Sequence, residues 1–102
     1  MIIHRWQGDK NLSQEEIKKC YQIKPDQDFN EEVIHNGQTI KDHYHTFLEI
    51  RIICEGELLC NIAGNQILLR AGDKIEIPAN TKHSYSNNYK QDCTSLVGYY
   101  SF

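Results

Sequence analysis

The sequence predicts an all-β fold, an antiparallel sandwich or barrel with one short helix near its N-terminus. Three observations lead there. From Glu31 onward, apolar or alternating runs recur at residues 33–34, 47–54, 58–63, 66–69, 74–77 and 95–102, the lengths and patterns of strands in a half-buried sheet. The breaks between them carry turn chemistry: Asn36-Gly37, Glu55-Gly56, Gly64-Asn65, Ala71-Gly72-Asp73 and Asn87-Asn88, with Gly64-Asn65 expected as a two-residue hairpin loop. Strands follow one another without intervening helices, which argues against a parallel sheet.

The elements follow in chain order. Residues 1–6 are strand-like and are separated from the remaining strands by the one helical signal, so they are expected to be free to pair with a partner subunit. Ser13-Gln14-Glu15-Glu16 reads as a capping box, in which Ser13 caps the helix and Glu16 reaches back to the chain entering it. The helix should run about two turns and end before Pro25, with residues 26–30 as a loop. Residues 41–50 are read as an extended strand, regular or bending slightly at Thr46-Phe47.

A chain of 102 residues with 39% apolar and 25% charged side chains and two prolines fits one domain, residues 1–102, with room for a single core and a single site. The net charge is −3 and no run of Lys or Arg could neutralise a line of phosphates, so nucleic acid is not an expected partner. Residues 1–6 lack an apolar stretch of signal-peptide length, and no window approaches the ~20 apolar residues that span a bilayer. A cytoplasmic protein with no membrane partner is the expectation. Cys20, Cys54, Cys60 and Cys93 form no C-x-x-C pair, and they are expected to be buried free thiols rather than disulfides or redox centres.

His43 and His45 stand two apart, so on an extended strand their imidazoles project from one face, and Glu49 shares that parity. Two imidazoles and a carboxylate are most of a divalent-metal site, and His83 is the natural fourth ligand from a strand distant in sequence. Arg51 continues the parity. Pointing inward it would be an anion clamp; after a bulge it would be outward or ion-paired.

The spacing around these residues resembles the cupin family. Gly37, His43, His45, Glu49 and Gly56 match every fixed position of the first cupin motif (residues 37–56), and Gly72, Pro78, His83 and Asn87 match the second (residues 72–87). The one departure is Asn80, where the family pattern has glycine, a mild change at a turn because Asn tolerates a left-handed backbone. Fifteen residues separate Gly56 from Gly72, which resembles the short spacing of compact members.

The resemblance implies a jelly-roll barrel holding one divalent metal ion, Fe, Mn, Ni or Zn, through His43, His45, Glu49 and His83. It implies a small polar or anionic ligand in the barrel and two functional alternatives: a metal-dependent enzyme of dioxygenase, isomerase or lyase type, or a non-catalytic metal or small-molecule binding module. Arg51 and Tyr99 are the substrate-lining candidates, with Tyr99 or Tyr100 favoured over Tyr44 and Tyr85 among the tyrosines because the last strand commonly lines such barrels in this family. His4 and His35 lie outside the motifs. Gly37, Gly56, Gly72 and Pro78 are read as scaffold, and Asn87 as a hydrogen bonder at a turn or strand end. Exposed edges suggest a homodimer, built through residues 1–6 or through an apolar outer sheet face with Ile50, Ile52 and Cys54.

Overall fold

The computed structural model describes residues 1–8 and 12–101; Phe102, expected at the end of the last strand, lies outside them. The described chain forms the strands β1 (Ile2–His4), β2 (Phe29–Ile34), β3 (Thr39–His43), β4 (Leu48–Glu55), β5 (Glu57–Ile62), β6 (Asn65–Arg70), β7 (Lys74–Ile77), β8 (His83–Ser86) and β9 (Cys93–Tyr100), with the helix α1 (Gln14–Cys20) after β1. A five-stranded antiparallel sheet has the order β1-β7-β4-β9-β2, and a four-stranded one the order β3-β8-β5-β6. Among the described residues no helix is long and apolar enough to cross a membrane.

The core between the sheets is built from Ile34, Ile53, Leu58, Cys60, Ile62, Leu69, Ile75, Ile77, Tyr85 and Cys93. A second, smaller cluster, Ile17, Ile52, Cys54 and Leu96, lies on the other face of the five-stranded sheet, beneath α1. The central strand β4 is therefore buried on both faces, and this corrects one expectation: Ile52 and Cys54 are covered by the chain's own helix, because Ile17 is buried against them. Ser13 forms the expected capping box with Glu16.

The N-terminal strand also departs from the reading above. It is not detached from the other strands: β1 pairs antiparallel with β7 of the same chain and forms one edge of that sheet. Asp73 explains why. Its buried carboxylate accepts the Arg5 guanidinium and the Trp6 N–H, both at 2.8 Å, and the Arg70 N–H at 3.0 Å, so a buried charge is satisfied only when the N-terminus lies down beside it. Gly72 completes the clasp: its φ of +93° suits glycine, and a Cβ there would come within 2.3 Å of the Trp6 ring.

Three local boundaries shift. Phe29 and Asn30, expected in a loop, begin β2 because the ladder with β9 runs from Phe29 opposite Gly98 to Ile34 opposite Cys93. The hairpin loop between β5 and β6 is Ala63-Gly64, one residue earlier than expected: Ile62 pairs with Asn65, and Ala63 and Gly64 take φ of 50° and 86°, the two positive values of a tight turn whose twist matches the strands. Residues 41–50 are not one strand. Pairing stops at His43, the chain turns through residues 44–47, and β4 begins at Leu48 in the opposite sheet.

Candidate metal centre

That turn builds the site. His43 ends β3 and stands opposite His83, the first residue of β8, with ring centroids 4.2 Å apart. His45 lies in the connecting segment, and Glu49 comes from β4 across the barrel. One nitrogen of each imidazole and one oxygen of Glu49 all lie within 4.8 Å of one another. The regular-strand parity that suggested this gathering is not its cause. The bend between the two sheets brings His43, His45 and Glu49 to face a common centre.

Backbone carbonyls set the orientation of all three rings. His43 Nδ1 lies 2.9 Å from the Lys41 carbonyl, His45 Nδ1 3.1 Å from that of Phe47, and His83 Nδ1 2.8 Å from that of Thr81. A carbonyl only accepts, so each Nδ1 is the protonated, donating nitrogen, and in the neutral imidazole each Nε2 then carries a bare lone pair. His45 Nε2 then lies 3.1 Å and His83 Nε2 3.4 Å from the same Glu49 oxygen, Oε1. Nitrogens facing a carboxylate at that range call for positive charge, either a proton on the ring or a metal ion between the ligands. The buried Nε2 of His83 has no hydrogen-bond partner. Second-sphere carbonyls holding Nδ1 while Nε2 faces a shared centre are the arrangement of metal-bound histidine, and a nitrogen-rich set with one carboxylate suits Fe, Mn, Ni or Zn.

Burial alone would raise the Glu49 carboxyl, but His83, the Arg51 charge and the Tyr85 hydroxyl around it outweigh that and hold it well below the usual carboxylate range. Burial would lower the His83 imidazole, and Glu49 with the Thr81 carbonyl reverses this and raises it. The electrostatics of the centre thus favour a carboxylate that stays ionised and a cation beside it.

Arg51 lies inside, 2% exposed. The ladders of β4 stay regular from Leu48 to Ile53 and shift only between Ile53 and Glu55, so the bulge that would have turned Arg51 outward comes too late. Its Nε donates to Glu49 Oε2 and its Nη2 to Glu32, both at 3.1 Å, its guanidinium lies over the Tyr85 ring, and Nη1 has no hydrogen-bond partner. Tyr99 is 44% exposed, donates to Glu32 at 2.8 Å, and packs its ring edge-on to His45 and Phe47. A cavity of about 260 Å3 adjoins the cluster, lined in part by Glu32, His43, Glu49, Arg51, Tyr85 and Tyr99.

Of two further members of this constellation, Tyr85 ranks below Tyr99 and Tyr100 in the sequence and Glu32 is not singled out there. Tyr85 is buried and its hydroxyl donates to Glu49 Oε2; it stands two residues after His83 on β8, so the same parity that linked His43 and His45 would have found it. Glu32, which bridges Arg51 and Tyr99, shares parity with the buried Ile34 on β2. The remaining side chains lie elsewhere. His35 is exposed and paired with Asp92, His4 packs edge-on to Tyr21, Tyr44 is exposed and Cys20 is exposed, while Cys54, Cys60 and Cys93 are buried free thiols. Tyr100 packs against Phe29, away from the cavity. Asn87 is a strand-end hydrogen bonder, donating to Ile34 and Gln91.

Residues 30–99 match the Cupin domain family. The chain belongs to the cupin family. Among its relatives, a quercetin 2,3-dioxygenase from Bacillus subtilis (strain 168) is 29% identical over 95% of this cupin, which spans only 30% of that enzyme's length. A predicted oxalate decarboxylase from Thermotoga maritima superimposes with a TM-score of 0.63 at 26% identity, covering 68% of this chain and 61% of the other. A Cupin 2 conserved barrel domain protein from Salinispora arenicola CNS-205 gives a TM-score of 0.65 at 21% identity, over 70% and 60% of the two chains. These solved structures support the jelly-roll architecture of the cupin described here.

Proposed function

We propose that this cupin binds one divalent metal ion through His43, His45, Glu49 and His83, and acts on a small polar or anionic metabolite held in the adjoining cavity, with Arg51 and Tyr99 lining the ligand. The observation that carries this reading is the cluster itself: Nδ1 of each of the three rings is turned to a backbone carbonyl, the Nε2 atoms of His45 and His83 face one Glu49 oxygen, and one ligand atom of each of the four residues lies within 4.8 Å of the others. A metal bound there would supply Lewis-acid character or, if it is iron, oxygen activation. The chain's own residues do the rest: the backbone carbonyls orient the imidazoles, Glu49 offsets part of the charge, and Arg51 brings a buried guanidinium to the cavity wall. The dioxygenase and the predicted decarboxylase among the relatives support metabolite chemistry of the oxygenase or lyase type, with isomerase chemistry open to the same ligand set.

The test is elemental analysis of protein purified without added metal. About one metal ion per chain in the wild type and a loss of it in His45→Ala supports the reading; equal content in both overturns it. A second reading, a non-catalytic binding module, is favoured by one observation: the cavity-wall groups Glu32, Arg51, Tyr85 and Tyr99 are hydrogen-bonded to one another or to Glu49, so none of these four is an unengaged acid or base facing the cavity. Tight binding of a carboxylate ligand without turnover would favour that alternative.

A further inference from the structure

The two oxygens of Glu49 have different surroundings. Oε1 faces His45 and His83 at the centre of the cluster. Oε2 is turned away and accepts two hydrogen bonds, from the Tyr85 hydroxyl and from Arg51 Nε at 3.1 Å. The donors come from different strands, β8 and β4, and both are themselves fixed. Tyr85 is 2% exposed with its ring under the Arg51 guanidinium, and Arg51 is held from the other side by Glu32.

We infer that Tyr85 and Arg51 are positioning residues that restrict Glu49 to one coordinating oxygen. This rests on the metal reading above and adds to it. A carboxylate whose second oxygen accepts two donors, one of them charged, gives up those bonds if that oxygen turns to a metal, and charge-assisted bonds in a buried site are the costly ones to break. The consequence is a coordination count. Three imidazoles and one carboxylate oxygen leave two positions on an octahedral ion, enough for a chelating ligand; a bidentate Glu49 would leave one and reduce such a ligand to a single point of attachment. Arg51 and Tyr85 therefore govern whether a chelating metabolite fits, without needing to touch it.

The experiment loads the intact protein with Mn(II) and counts metal-bound water by magnetic resonance, using oxalate as the chelating probe. The wild type should hold two waters, both displaced by oxalate. Tyr85→Phe, which deletes only the hydroxyl, should hold one water, and its oxalate affinity should fall by about tenfold or more, a loss in line with one displaced attachment point. Arg51→Lys, which keeps the charge but not the Nε–H donor, should shift the same way. An unchanged water count in the folded variants, or a single water in the wild type, overturns the inference while leaving the metal site standing. Failure of the wild type to bind Mn(II), Fe(II), Ni(II) or Zn(II) in equilibrium dialysis overturns the metal reading and this inference with it.

Discussion

The backbone N–H of Asn80 donates to the carbonyl of His45 at 2.7 Å, tying the turn of the second motif to the ligand loop of the first. Asn80 holds φ at 61°, the left-handed region its family pattern fills with glycine. Its side chain is exposed, so what matters at this position is the backbone. Asn80→Gly should leave stability within about 0.5 kcal/mol, whereas Asn80→Val should lose roughly 1–2 kcal/mol to the left-handed penalty. Denaturant midpoints of the two variants check this; equal stability would show that the turn does not constrain the residue.

Removing the metal should lower the melting temperature, because an ion bound only by the native state stabilises it by mass action. The effect should be absent from His45→Ala, and chelator titration followed by calorimetry reads both. Occupancy should also fall with acid. Protons compete for the same Nε2 lone pairs, so occupancy should fall as the imidazoles protonate, from about the ordinary imidazole value of 6.5 downward. Full occupancy at pH 4 would contradict ligation by three histidines.

Ile17 carries the helix. It is 1% exposed between α1 and the outer face of β4, so Ile17→Ala should cost about 2–5 kcal/mol through lost burial and the cavity left behind. Metal content of the folded fraction should not change, since the cluster lies on the other face of the sheet. Urea unfolding with parallel metal analysis separates the two.

Tyr21 anchors the segment after α1 by donating to the Gly72 carbonyl. Burial, then the nearby Asp73 and Cys20 charges, push its phenol up to about 12. A phenol raised in the folded state keeps its proton longer than in the unfolded chain, so its contribution is intact below the unfolded value of about 10 and drains away as the pH rises toward 12. The destabilisation caused by Tyr21→Phe should accordingly be larger at pH 8 than at pH 11. A gap that is constant or widens with pH would refute this account.

Much of the fold was legible because strand periodicity, turn residues and capping chemistry are local. The capping box at Ser13, the glycine turns and the strands from Phe47 onward follow from patterns a few residues long. What escaped was set at a distance. Nothing near residues 1–6 announces that Asp73 will hold them, and nothing in the apolar outward parity of Ile52 and Cys54 says whether a helix or a second subunit covers them. The hairpin slipped by one residue because Ala63 accepts a positive φ that its side chain disfavours, a cost that only the paired strands on either side offset.

The site divides in the same way. The sequence by itself determined which residues could meet, since His43, His45, Glu49 and His83 sit at spacings that resemble one family's motifs, and spacing limits what a barrel can bring together. The tertiary structure alone decided how they meet: the chain leaves one sheet at His43 and enters the other at Leu48, the carbonyls of Lys41, Phe47 and Thr81 hold the three rings by Nδ1, the Nε2 atoms of His45 and His83 face one Glu49 oxygen, and Tyr85 with Arg51 claims the other. Parity along a strand is a property of neighbours in sequence. The direction of a lone pair depends on what the folded chain places behind the ring.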